Sequence, residues 1–201
     1  MKKFPINDPI LKKAVKDIEL RPIIPANDYF NYLIRSVVYQ QLSGKAAATI
    51  YGRFSDLFPV GIPTPKKILD MPLSNFRAAG LSGQKSGYIQ NIAQFALENN
   101  FSDAYLDQMD DHEVVAYLTQ IKGVGKWTVE MLLMFAMDRP DVFPLDDFGV
   151  SSGIQLIYGL DPKLPKKEMT ARLLEISAAW KPHRSMASRD IWAWKDKNRN
   201  K

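Results

Sequence analysis

Cysteine is absent from this sequence, which excludes disulfides, thiol nucleophiles and thiolate-held metal centres, iron–sulfur clusters included. Histidine is scarce: His112 and His183 have no partners at ligand spacing, so no side-chain metal cluster is expected. Long apolar runs are missing too. No segment approaches the roughly 18 uncharged apolar residues a spanning helix needs, and the opening MKKFPINDPILKK lacks the apolar stretch of a secretory leader. A soluble, intracellular chain without membrane association is the expectation. Alternating runs of strand length bounded by hairpin turns are lacking, as are repeats, low-complexity stretches and long linkers.

What is present is helical periodicity and an uneven charge. With 46% hydrophobic and 24% charged residues, the chain can bury one sizeable core or two small lobes around a cleft. The net charge of +5 is a C-terminal feature: residues 161–201 hold eleven Lys/Arg against five Asp/Glu. The terminal KDKNRNK reads as a solvated tail, whereas Lys181, Arg184 and Arg189 alternate with aromatics on an expected helix and are candidates for a DNA-facing surface.

In chain order, a short amphipathic segment covers Ile10 to Ile18. Asn27 or Asp28 can cap a helix from Tyr29 whose buried face is Phe30, Leu33, Ile34, Val37 and Val38. It ends near Gln40–Gly44, and an alanine-rich helix follows over Lys45–Phe54. Short helices are expected at 65–69 and 73–79, and a longer one over Ser86–Glu98 after the turn GLSGQK, which reads as a plain connection. Residues 101–108 bridge to the next helix. Val150–Tyr158, Pro165–Trp180 and Ser185–Trp194 complete an all-α class of about ten helices.

The chemistry concentrates between Leu118 and Phe148. Asp110 and Glu113 form a capping-box signal, and Val114, Leu118 and Ile121 recur at helical spacing, so a helix is expected to about Lys122. Gly123-Val124-Gly125 interrupts it, and Lys126–Met137 resumes. Such a glycine turn frees N–H groups at the start of the second helix, where the dipole favours an anion; taken alone it is also a common connection that binds nothing. Pro144-Leu145-Asp146-Asp147 then opens another helix. An Asp-Asp pair there serves as an N-cap in the plain reading, but two adjacent acids can divide roles, one capping and one facing a cleft.

GVGKWT followed by VFPLDDFG resembles the helix–hairpin–helix DNA glycosylases, whose signature is a glycine hairpin, a Gly/Pro-rich loop and an Asp. YQQLSGKAA from Tyr39 and WKPHRS from Trp180, running on to Ile191-Trp192, extend the resemblance over roughly residues 28–194, toward the 3-methyladenine DNA glycosylase II branch. The resemblance implies one glycosylase domain over 1–201 in two helical lobes, with the hairpin, about 110–137, at a DNA-binding cleft. It implies a monomer acting on damaged double-stranded DNA that flips an alkylated purine out of the stack and hydrolyses its N-glycosidic bond. Asp147 is then the catalytic carboxylate and Asp146 the helix cap. Trp127 and Trp192 are the pocket aromatics, with Phe30 and Tyr39 as weaker candidates and Met131 where some relatives place a tyrosine. Trp180 and Trp194 read as core.

Gln41 is the candidate wedge that fills the space of the departed base, with Leu42 second; by the residues alone, the glutamines cap adjacent helix ends. Gly123, Gly125, Lys126 and Thr128 are the expected phosphate contacts. Relatives that also cut the strand carry a lysine at the position of Trp127, so a monofunctional enzyme is expected. No cofactor is required, although the family's hairpin holds a monovalent cation, Na+ or K+, through main-chain carbonyls that map to Thr119, Ile121 and Val124. Two alternatives stay open: a glycosylase for deaminated or oxidised bases, and a non-catalytic module that binds damaged DNA.

Overall fold

Capping side chains and prolines divide the chain into short, well-delimited helices. A computed structural model describes residues 5–199, and among them twelve α-helices and one 3-10 turn occur, with no strand. None is long and apolar enough to cross a membrane. The chain forms two compact units, one running from Pro25 to Met137 and one comprising the residues up to Ile24 together with those from Asp138 onward.

In the 25–137 unit, Asp28 starts α2 (Tyr29–Tyr39) by accepting from Asn31 N–H at 2.8 Å, as a short carboxylate at an N-cap does. Its apolar stripe is fully buried at Leu33, Ile34, Val37 and Val38, each such side chain contributing about 1.5–3 kcal/mol relative to exposure. That stripe packs against α3 (Gly44–Ser55), α6 (Gly83–Glu98) and α9 (Lys126–Phe135). Two short helices, α4 (Pro65–Asp70) and α5 (Leu73–Ala78), lie against α6, and α8 (Asp111–Leu118) against α9. The capping box at Asp110 and Glu113 is formed, with both reciprocal bonds at 2.8 Å. The bridging stretch holds a further one-turn helix, α7 (Asp103–Asp107), capped by Ser102.

The other unit contains α1 (Pro9–Ala14), α10 (Phe148–Tyr158), α11 (Lys166–Ala178) and α12 (Arg184–Asn198). Leu11, Val150, Ile154, Leu173, Trp180, Ala187 and Ile191 form its core. Helices α10 and α12 approach closely at Gly153, where a Cβ would lie 2.4 Å from Ile191 Cγ2. Asp8 ties α1 down: its Oδ2 accepts from Tyr158 OH at 2.5 Å and Trp180 Nε1 at 3.0 Å, while Oδ1 caps the helix.

The boundaries depart from expectation where a cap decides them. Helix α8 stops at Leu118 instead of Lys122, because Thr119 caps it and Gly123 then takes φ +104°, a backbone region suited to glycine. Helix α6 begins at Gly83 instead of Ser86, because Ser82 accepts from Lys85 N–H. Helix α12 runs on to Asn198, so Lys195 and Lys197 of the expected tail are helical and Lys197 Nζ donates to Asp17 C=O at 3.0 Å. The remainder of that tail, Asn200 and Lys201, lies outside the described residues, as does the start of the opening segment.

Candidate active site

Two successive turn bonds, Leu145 N–H to Phe143 C=O and Asp147 N–H to Pro144 C=O, fold the loop so that Asp147 becomes the N-cap of α10. Its Oδ1 accepts from Val150 N–H and from Trp192 Nε1, both at 2.8 Å. The assignment of the two acids is therefore corrected in one respect: Asp147, not Asp146, caps the helix, while Asp146 is exposed. Trp192 is held on this carboxylate by its indole N–H. Gly149 makes room for that contact, since a Cβ there would lie 2.7 Å from Trp192 Cδ1 and Nε1 and 2.9 Å from Asp147 Oδ1. Phe148, the next residue, is 79% exposed with Lys195 Nζ 4.4 Å from its ring centroid. One carboxylate oxygen fixed by two donors, on a partly exposed side chain, can stabilise a developing positive charge without reorganising.

The 25–137 unit carries an open pocket of about 630 Å³ whose lining residues come from α2, the turn after it, and α9. Trp127, Met131 and Phe135 follow one another at helical i, i+4 spacing on α9. Tyr32, Arg35, Ser36 and Tyr39 face them from α2. Tyr32 OH donates to Met131 C=O at 3.2 Å and fastens the two walls; burial pushes its phenol up to about 12, against the pull of Arg35 and Ser36, so it stays a donor at neutral pH. The Arg35 guanidinium lies 4.5 Å from the Tyr39 ring centroid. Trp127 is 41% exposed, so part of its ring faces the open pocket.

Phe30 does not belong to this pocket. Its ring packs edge-on against Phe101 at 5.9 Å and borders a separate, smaller cavity, because Phe30 points from another side of α2.

At the hairpin, Gly123 carries the turn and is sealed against α6: a Cβ would sit 2.2 Å from Tyr88 Cγ. Gly125 is the N-cap of α9 and has no side chain to satisfy the first-turn N–H groups. Lys126 Nζ lies 3.4 Å from Glu130 Oε1 with its side chain half exposed. Thr128, expected on phosphate, is instead buried, its hydroxyl accepting from Gln40 Nε2 at 3.2 Å. Among the described residues, the carbonyls of Thr119 and Val124 accept no protein hydrogen bond, whereas that of Ile121 accepts from Val124 N–H at 3.0 Å. Open carbonyls in a tight, partly exposed turn are the donor set a monovalent cation takes.

Gln41 and Leu42 are exposed, and Gln41 has φ +56°, in the left-handed region. Arg184 is removed from the DNA-facing candidates, since its guanidinium grips Asp141 with two bonds of 2.8 Å. Arg189 donates to Arg21 C=O, and Lys181 is exposed. As expected, Trp180 is fully buried, and Trp194 packs partly against the same core.

Sequence reasoning missed Tyr32, Arg35 and Ser36, although Tyr32, Ser36 and Tyr39 recur along one side of α2 beside its apolar stripe, which is the available signal. It also missed Lys85, whose acceptors are main-chain carbonyls and leave no trace in side-chain pattern.

A family model described as HhH-GPD superfamily base excision DNA repair protein matches residues 34–179. DNA-3-methyladenine glycosylase 1 of Schizosaccharomyces pombe is 38% identical over 165 residues, 81% of this chain and 71% of the relative. A solved structure of the S. pombe 3-methyladenine DNA glycosylase in complex with abasic DNA superposes with a TM-score of 0.81 at 34% identity, covering 94% of this chain and 91% of that one. The crystal structure of a DNA-3-methyladenine glycosidase from Bacillus halodurans gives 0.79 at 30% identity, with 92% and 83% covered.

Proposed function

Because this chain belongs to the HhH-GPD superfamily of base excision DNA repair proteins, and within it to the 3-methyladenine DNA glycosylase branch, we propose that it binds damaged duplex DNA and hydrolyses the N-glycosidic bond of alkylated purines of the 3-methyladenine and 7-methylguanine type. The observation that carries the catalytic assignment is the single oxygen of Asp147 held by Val150 N–H and Trp192 Nε1.

Alkylation at N3 or N7 gives the purine a positive charge, so breaking the bond to C1′ returns the electron pair to a base that leaves neutral and needs no proton. Positive charge passes to the sugar, where the Asp147 carboxylate stabilises it; water adds to C1′, loses its proton to the carboxylate or solvent, and leaves an abasic site. Trp127 offers the flipped base a stacking face, and a cation over such a ring gains about 0.5–2 kcal/mol. Met131 forms a soft wall beside it. Gln41 and Leu42, exposed on their turn, suit the wedge, and the N-terminus of α9 with Gly123, Gly125 and Lys126 suits a backbone phosphate. A monovalent cation fits the carbonyls of Thr119, Ile121 and Val124 and would add positive charge beside that phosphate. Acting on DNA fits work in the interior of the cell.

The decisive experiment measures free methylated base released from methylated duplex by the native protein and by Asp147→Asn. Asparagine keeps an N-cap oxygen and removes the charge, so release should fall about 100-fold or more with DNA binding unchanged; equal release by both rejects the assignment. Trp127 occupies the position where strand-cutting relatives carry a lysine, so sodium borohydride should trap no protein–DNA adduct.

One observation favours a second substrate range: Arg35 sets a fixed cation in the pocket wall, which disfavours a cationic base and favours the carbonyl edge of a neutral one. Duplexes carrying hypoxanthine or oxidised guanine separate the two, since release from these at the rate found for methylated DNA would place neutral lesions within the range.

A further inference from the structure

Every carbonyl in the last turn of α2 is held, and one side chain from α6 holds two of them. Gln40 N–H takes those of Ser36 and Val37, Leu42 N–H takes that of Tyr39, and Lys85 Nζ donates to Val38 C=O at 2.7 Å and Gln40 C=O at 2.6 Å. An ammonium at a helix C-terminus satisfies orphan carbonyls and the negative end of the dipole together. The two bonds close immediately before Gln41, a glutamine held in the left-handed region that L side chains rarely adopt. The side chain of Gln40 is fixed as well, on Thr128 of α9. Burial lowers the Lys85 pKa, as expected for an ammonium drawn from water onto neutral carbonyls.

The same helix braces the hairpin. Tyr88, three residues beyond Lys85, packs on Gly123 and accepts from Gln84 Nε2 at 2.7 Å; Asn91 Nδ2 donates to Lys122 C=O at 2.9 Å. Helix α6 thus grips both the turn assigned to the wedge and the turn assigned to phosphate.

We infer that Lys85 is a positioning residue for base opening: it locks the Gln41–Leu42 turn in its protruding conformation, and α6 fixes that turn relative to the DNA-gripping hairpin. This role rests on the glycosylase function above, but it is read out by opening of the base and not by chemistry. Native protein, Lys85→Met and Lys85→Arg are mixed at saturation with a duplex carrying 2-aminopurine at the target position, whose fluorescence rises as the base leaves the stack; affinity is measured separately by anisotropy. Lys85→Met should reduce the rise roughly tenfold with the dissociation constant little changed, and Lys85→Arg, which retains a cation and donors, should restore most of it.

A merely structural loss would act alike in any background. In protein carrying Gln41→Ala and Leu42→Ala, Lys85→Met should therefore have no additional effect. An unchanged rise in Lys85→Met, effects that multiply with the truncated turn, or no rise with native protein each overturns the assignment. Release of methylated base is scored in parallel. Normal opening without release dismisses the glycosylase activity and leaves Lys85 supported, while normal release with opening indifferent to Lys85 does the reverse.

Discussion

At the scale of single residues, the Asp147 carboxylate is fixed by a helix N–H on one side and an indole N–H on the other. Trp192→Phe keeps an aromatic ring in place and removes one of these donors. Hydrogen bonds to charged groups contribute about 1.5–3 kcal/mol, so the first-order rate of base release should fall about tenfold or more, with KM for DNA close to native because the lost bond orients the carboxylate and not the substrate. Single-turnover release at varied protein concentration checks the split; an unchanged rate means the helix cap alone suffices. Trp127 and Met131, which line the pocket, were named through the family motif alone. The division of labour between Asp146 and Asp147 was not, because the two are chemically alike and the cap position is set by where the Pro144 turn closes, a main-chain event. Arg35 and Ser36 stayed hidden for a related reason: on α2 they read as the polar exterior of an amphipathic helix, and only tertiary packing makes that exterior a wall.

At the scale of elements, the hairpin depends on what lies beneath it. Gly123→Ala would place a Cβ within the Tyr88 ring and force alanine to φ +104°. Overpacking alone costs about 1–3 kcal/mol, so the melting temperature should drop by several degrees and DNA affinity should weaken, since the turn proposed to face phosphate must move to relieve the clash. Gly123→Ala with Tyr88→Ala should recover part of the stability and little of the affinity, because the backbone strain persists. Thermal melts and binding at one fixed salt concentration test this. The sequence marked Gly123 as a turn and placed a helix ending at Glu98, three residues short at its start, yet it offered no sign that α6 underpins both the hairpin and the Gln41–Leu42 turn. The joining contacts run to carbonyls and to a glycine face, which no side-chain periodicity encodes.

At the scale of the whole molecule, the two units carry carboxylates of opposite response to acid. Burial raises Asp8, but bonds from Tyr158, Leu11, Trp180 and Ile10 outweigh it and leave its carboxyl below the ordinary range. Asp141 behaves likewise through Arg184. Groups depressed on folding stabilise above the unfolded value and lose that stabilisation as pH falls through the folded one, so the unit holding both should weaken below about pH 4. Asp103, in the 25–137 unit, is raised by burial and by Asp28 and Asp107 despite the Tyr29 N–H bond; its penalty, present above the raised value, is relieved on acidification. Hydrogen exchange between about pH 5 and 2.5 should therefore show amides of α1 and α10 opening before those of α2 and α6, and Asp8→Asn should flatten that difference. The Asp147 cap has a further consequence for descent. The same side chain starts a helix and carries the proposed charge, so a lineage that abandoned catalysis would still be held to a capping residue there. Asparagine, serine or threonine at 147 could drift in without uncapping α10, whereas alanine would remove the cap, at about 0.5–2 kcal/mol, together with the charge.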